Sequence, residues 1–315
     1  MDVGVIGTGN MGRNHARIYS EMKDVDSVYI YDLNPKSAEK ISADFGAKSS
    51  ESIQSLLKSV DAVSICVPTK YHFMVAEEAI ERGIHCLIEK PISSTSEEGE
   101  RFLKLIPDHL VVGVGHIERF NPIIGEIKNL MKKPKYIEIR RHNPGSSRIT
   151  DTGVLIDLMI HDIDLIWNDF FGGKKDSERY SLGDDDLYKM VAKFDDCIVS
   201  LSASRISCQK IRTIHVEEEG FTIEGNFMNQ ELYIYRKPER YGEVNTRYAQ
   251  ENIIEKVLIN RVEPLKEELK TFIRCVQREE PFPITPEQAV LNLKIAEGGF
   301  KGIEANDLRY AQQVP

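Results

Sequence analysis

Three glycines constrain this chain more than any other feature it carries. Gly7-x-Gly9-x-x-Gly12 lies directly after the apolar run at residues 3–6 and opens a helical pattern at residues 11–22. Glycines at this spacing allow a tight strand-to-helix turn. They also let the backbone approach a pyrophosphate at the helix N-terminus, where unpaired N–H groups and the helix dipole favour an anion. Asp32 follows twenty residues after Gly12, at the end of the second apolar run. A carboxylate there accepts hydrogen bonds from the adenosine ribose hydroxyls of a dinucleotide, so the glycines do more than shape a turn. The same carboxylate repels a 2′-phosphate, and Leu33 and Asn34 bring no cation to offset it, which favours NAD over NADP. The expected cofactor contacts in this segment are Gly7, Gly9, Asn10, Met11, Gly12 and Asp32.

The glycines sit in a repeating context. To about residue 115, β-rich runs at residues 3–6, 28–31, 62–67, 86–88 and 110–114 alternate with helix-length segments such as 11–22 and 74–82. Such alternation implies βαβ units and a parallel sheet, and runs that are apolar throughout are expected where helices cover both faces. Beyond Pro122 the pattern changes to one long apolar helix candidate at 154–171, then period-two runs at 189–194, 198–204, 211–216, 221–224 and 232–235. Asp195-Asp196 and Glu219-Gly220 supply turns between these runs, so they predict an antiparallel meander. Segments 264–277 and 286–298 each begin with a proline suited to the first helical turn and read as helices. The polar stretch 237–252 reads as a loop or contact arm. A chain of 315 residues has room for two cores, here an α/β dinucleotide-binding domain over 1–117 and an α+β domain over 118–315.

Charge and composition narrow the function classes. Lys and Arg total 41 against 50 Asp and Glu, a net charge of −9, so the chain lacks the basic field that neutralises phosphates in a nucleic-acid complex. No apolar run approaches the ~18 residues of a membrane span, and the longest are broken by charges such as Asp157 and Glu89. The opening residues lack the basic start and long apolar stretch of a secretory signal, so a cytoplasmic location is expected. The five cysteines, Cys66, Cys86, Cys197, Cys208 and Cys275, form no Cys-x-x-Cys pair and read as reduced packing residues. No metal site is expected.

Two further motifs carry chemistry. Glu89-Lys90-Pro91 ends the fourth β-rich run, and ligands bind at the carboxyl edge of an open α/β sheet, so Lys90 is aimed at the cleft. In the helix candidate, Asp157, His161 and Asp164 fall at i, i+4 and i+7 and form one polar stripe among apolar residues. Ionisable groups in a buried helix need partners or a purpose. An Asp–His pair that only stabilises the core is the plainer reading. With a nicotinamide site and Lys90, however, the histidine can take the proton of an alcohol while the carboxylate orients its ring. Just upstream, Arg140, Arg141, His142 and Arg148 form a basic cluster suited to a diphosphate.

Taken together, Gly7 to Gly12, Glu89-Lys90-Pro91 and Asp157-x-x-x-His161 resemble the glucose–fructose oxidoreductase, inositol dehydrogenase and rhizopine-catabolism family of nicotinamide-dependent oxidoreductases. Pro68-Thr69-x-x-His72 and the stretch from Val114 to Pro122 are similar as well. The resemblance implies a Rossmann domain followed by a domain built on a large open, mainly antiparallel sheet, with homo-oligomers, dimers or tetramers, formed through that sheet. It implies that Lys90, Asp157 and His161 are catalytic and contact the sugar, and that Pro68, Thr69, His72, Glu89 and Lys90 line the NAD site. Substrate contacts are also expected at Arg119 and at Arg148 of the basic cluster. Within the family, residues 116–122 and 153–164 resemble UDP-N-acetylglucosamine 3-dehydrogenases, which implies oxidation of the 3-hydroxyl of that or a related nucleotide sugar by hydride transfer to nicotinamide. The alternatives are a free-sugar or inositol dehydrogenase, and a sugar- or NAD-responsive regulator without turnover.

Overall fold

The computed structural model describes residues 1–144, 152–237, 241–244, 247–250 and 253–298, and the chain divides into two compact units. The first comprises residues 1–120 and 263–294; the second comprises 121–262 and 295–315.

In the first unit six strands form a sheet: β1 (Asp2–Ile6), β2 (Ser27–Tyr31), β3 (Lys48–Ser49), β4 (Ala62–Ile65), β5 (His85–Glu89) and β6 (Val112–Gly115). Every pairing is parallel and the order is β3-β2-β1-β4-β5-β6, the doubly wound arrangement of dinucleotide-binding domains. Helices α1 (Asn10–Ser20), α2 (Pro35–Phe45), α3 (Ile53–Leu57), α4 (His72–Glu81) and α5 (Ser96–Leu103) join them. Val3, Val5, Ile30, Val63, Ile65 and Ile88 have no exposed surface, which is why these strands read as unbroken apolar runs. The sequence gives no sign of β3, whose two residues are both exposed. The strand order reverses between β1 and β4, opening a crevice at their carboxyl ends.

The second unit begins with α6 (Pro122–Leu130), whose cap Asn121 accepts a hydrogen bond from the Ile123 N–H, and continues into β7 (Tyr136–His142). A helical segment follows in three pieces: a π-helical turn at Leu155–Met159, α7 (Ile160–Ile163) and a second π-helical stretch at Asp164–Phe170. Next come β8 (Glu178–Gly183), β9 (Leu187–Phe194), β10 (Cys197–Ser204), β11 (Ile211–Glu218), β12 (Phe221–Asn226), β13 (Glu231–Arg236), the hairpin β14 (Tyr241–Val244) and β15 (Arg247–Gln250), and β16 (Ile253–Val257).

The large sheet has the order β16-β13-β12-β11-β7-β10-β9-β8. The expected meander is therefore split, because β7 inserts between β10 and β11 and runs parallel to β10; the other pairings are antiparallel. The turns fall where the sequence places them, with Asp195 (φ 49°) and Gly220 (φ 93°) in left-handed conformation. Val199, Leu201 and Ala203 are fully buried within the unit, on the face that the Leu155–Met159 turn packs against.

Two helices close the described chain: α8 (Pro264–Arg278) and α9 (Pro286–Glu297). Both fall in the range assigned from sequence to the second domain, yet residues 263–294 belong to the first unit. The cause is the apolar face of α8. Leu265, Leu269, Phe272 and Ile273 are buried, and the helix packs on α1 and on the Ile117–Phe120 turn. Phe282, just beyond it, stacks edge-on with Phe272 and lies against Gly113 of β6. Among the described residues no helix is long and apolar enough to cross a membrane. All five cysteines are free, but Cys208 is exposed rather than packed.

Candidate active site

The crevice of the first unit is a cleft of about 780 Å³ whose walls include Gly7, Gly9, Asn10, Met11, Asp32, Pro68, Thr69, His72, Glu89 and Lys90. Ten of the eleven cofactor residues read from the sequence thus line one cavity, and the eleventh, Gly12, shapes it from behind. A Cβ on Gly12 would stand 1.8 Å from the Gly7 carbonyl oxygen, so only glycine lets α1 approach the turn this closely. Gly7 has φ +96°, and a Cβ there would meet the Cys66 backbone at 2.7 Å. Gly9 has open space around its Cβ position, which is what a phosphate approaching the backbone requires. No side chain caps the start of α1 and no acid occupies its first turn, so its leading N–H groups suit an anion.

Asp32 is held by a residue the sequence reading missed. Thr8 donates to Asp32 Oδ2 from both its backbone N and its Oγ1, each at 2.7 Å, and the Asn34 N–H donates to Oδ1 at 2.8 Å. Partial burial pulls the Asp32 carboxyl upward, but the hydrogen bonds from Asn34 and Thr8 outweigh it and hold the group below its ordinary range. The side chain is therefore a fixed anion, suited to ribose hydroxyls and hostile to a 2′-phosphate. Tyr31, Leu33, Ile53 and Met74 add apolar wall suited to an adenine, and Leu33 is 81% exposed and Met74 57%. The donor set and the cradle fit NAD.

At the opposite wall, Glu89 ends β5 and is almost fully buried. Burial alone would raise its carboxyl; the His15 hydrogen bond, with the charges of His15, Lys90 and His72, holds it below the usual range. Lys90 follows, half-buried, on the cleft wall, and the Lys90–Pro91 bond is cis. His72 lines the cleft differently from a free ligand: Nδ1 lies 2.8 Å from the Pro91 carbonyl oxygen and Nε2 2.8 Å from that of Val67. Its polar atoms serve the backbone of two turns, and burial lowers its pKa.

The second unit holds Asp157 and His161, both half-buried. Asp164, the third polar residue of the stripe, is buried and accepts from Asn168 Nδ2 at 3.0 Å. The Leu155–Met159 and Asp164–Phe170 stretches on either side of α7 are π-helical. Such turns recur at functional sites.

The basic cluster also divides. Arg141 is 1% exposed and grips the fully buried Asp162, with Nε 3.0 and 3.1 Å from the two carboxylate oxygens and a terminal nitrogen 2.6 Å from Oδ1. It anchors the catalytic-helix candidate to β7 and is not available to a diphosphate. Arg140 is exposed, and His142 pairs with Ser202 Oγ at 2.6 Å. Arg148 lies outside the described residues. Arg119, in the first unit, is half-buried and donates to Gln288 Oε1 at 3.3 Å.

Comparison with known proteins agrees with this geometry. Residues 1–118 match the family model described as an oxidoreductase family with an NAD-binding Rossmann fold. UDP-N-acetylglucosamine 3-dehydrogenase of Acidithiobacillus ferrooxidans is 33% identical over 246 residues, covering 75% of this chain and 77% of that protein. The chain belongs to the glucose–fructose oxidoreductase, inositol dehydrogenase and rhizopine-catabolism family. It is an NAD-dependent oxidoreductase. A solved structure of the same Acidithiobacillus enzyme superposes with a TM-score of 0.82 at 29% identity, covering 95% of this chain and 96% of that one. A second solved structure, levoglucosan dehydrogenase in complex with NADH and levoglucosan, shares the fold, superposing with a TM-score of 0.78 at 18% identity over 94% of this chain and 95% of that one.

Proposed function

We propose that the protein oxidises a secondary hydroxyl of a nucleotide sugar, the 3-hydroxyl of UDP-N-acetylglucosamine or a close relative, to a ketone. Its main support is the likeness to UDP-N-acetylglucosamine 3-dehydrogenase, which runs through both units of this chain. When bound, NAD supplies the hydride acceptor. His161 takes the hydroxyl proton, Asp157 orients its ring or a substrate hydroxyl, and Lys90 steadies the developing alkoxide. Arg119 and Arg148 contact the substrate, while Arg141, committed to Asp162, does not. The protein works in the cytoplasm as a homo-oligomer. The test is incubation with NAD and UDP-N-acetylglucosamine, UDP-glucose, free N-acetylglucosamine or inositol, following NADH and the product mass. Higher kcat/KM with inositol or a free sugar than with any nucleotide sugar overturns the substrate and leaves a dehydrogenase. NAD binding without turnover of any sugar favours the regulator.

A further inference from the structure

Behind the cleft wall lies a cluster that the glycine fingerprint and the Glu-Lys-Pro motif do not explain. His15, three residues beyond Gly12 on the inner face of α1, is fully buried and is not part of the cleft lining. Its Nε2 is 3.0 Å from Glu89 Oε1, while Glu89 Oε2 accepts the Lys90 backbone N–H at 3.2 Å. One carboxylate thus ties the helix whose first turn faces the dinucleotide to the turn that carries Lys90. A buried glutamate–histidine pair is a poor way to fill a core, since apolar residues of the same volume do so at less cost. Here the pair stands at the carboxyl end of a sheet strand, where a ligand binds, and its second oxygen holds Lys90.

We propose that His15 is a positioning residue for the reaction: by fixing Glu89 it fixes the Lys90 turn against the cofactor helix, and it touches neither cofactor nor substrate. This rests on the role proposed for Lys90. The groups facing Glu89 are His15 and Tyr19 from α1, Cys66 after β4, His72 from α4, Lys90 beside it and Glu268 from α8. Burial pushes the Tyr19 phenol and the Cys66 thiol upward, so both stay neutral. Glu268 is fully buried with neither carboxylate oxygen hydrogen-bonded among the described residues, and burial with the nearby Glu89 charge keeps it protonated. Without His15, only Lys90 and His72 remain to hold Glu89 ionised against its burial. Glu89 then takes a proton at higher pH and its grip on the Lys90 turn loosens.

The experiment compares wild type with His15→Leu, His15→Asn and His15→Gln. The first two cannot reach Glu89, whereas the glutamine amide can. With NAD and UDP-N-acetylglucosamine, the leucine and asparagine variants lose on the order of 10- to 100-fold in kcat with little change in KM for NAD. The acid limb of their pH–rate profile moves to higher pH, and the glutamine variant recovers most of the rate. Fluorescence titration with NADH across the same pH range reads the cluster without a sugar: the pH at which affinity breaks moves upward in the leucine and asparagine variants. If wild type turns over no sugar, the proposed reaction fails while this titration still decides the role of His15. Unchanged kcat and an unmoved pH break in the soluble variants overturn the proposal. So does stoichiometric zinc in purified wild type, because the donor atoms of His15, Cys66 and Glu89 lie within 4.8 Å of one another and would then be a metal site.

Discussion

Asp32 shows how a single hydrogen-bond set fixes a preference. Thr8 and Asn34 keep it ionised and aimed, so Asp32→Ser removes both the ribose acceptor and the charge that repels a 2′-phosphate. The ratio of kcat/KM for NAD over NADP should fall by about tenfold or more, and an unchanged ratio would assign selectivity elsewhere. Lys90→Met and His161→Asn should each lose at least ~100-fold in kcat with little change in NAD affinity, the usual contribution of a positioned proton-transfer group. Wild-type turnover in either variant would make that residue structural. Glu268 gives a pH prediction with a definite sign. Its carboxyl lies well above the ordinary glutamate range in the folded protein, so above that range the unfolded chain releases a proton that the folded chain keeps. Its contribution to stability therefore declines as pH rises. Glu268→Gln removes that loss and should raise the melting temperature more at mildly alkaline than at mildly acidic pH; an equal shift at both would mean that Glu268 is not protonated.

Among the elements, β7 and the helical segment that follows depend on each other. Ile137 and Ile139 point inward along β7, and the third inward position is Arg141, which a core accepts only because Asp162 meets it. Arg141→Met leaves Asp162 buried without its partner and should cost about 3–5 kcal/mol in chemical denaturation, most of it recovered in Arg141→Met with Asp162→Leu. A double variant no more stable than the single one would show that the pair does more than neutralise itself. The same pair explains why β7 was invisible in the sequence. Arg141 puts a charge at an inward position and so breaks its alternation, and the neutralising partner lies twenty-one residues away. Apart from the exposed β3, the parallel strands of the first unit were legible as apolar runs, and the glycines of the cofactor turn because backbone geometry demands them at fixed spacing. Thr8 was not, since its role lies in a contact twenty-four residues distant.

For the whole molecule, the open face of the large sheet decides whether one chain is sufficient. One face carries Val199, Leu201 and Ala203, which are already buried. The opposite face makes a different case. Following the register across the sheet, Ile198 pairs with Tyr136, then Glu217, Thr222, Tyr235 and Ile254, so these residues form one row on one face. Ile198 is 48% exposed, Tyr235 41% and Ile254 55%. Large exposed apolar side chains aligned across a sheet face are an association surface, and the same patch on two copies pairs by a two-fold axis. The row itself carries Glu217, which with Glu224 flanks His215 at 2.9 and 2.6 Å, and this leaves the isoleucines and Tyr235 as the exposed apolar anchors. Light scattering at micromolar concentration should therefore find a homo-oligomer. Ile198→Arg with Ile254→Arg should shift it to monomer while leaving the NADH affinity of the first unit unchanged. A wild type that is monomeric, or a double variant that keeps its mass, would show that this face is not the interface.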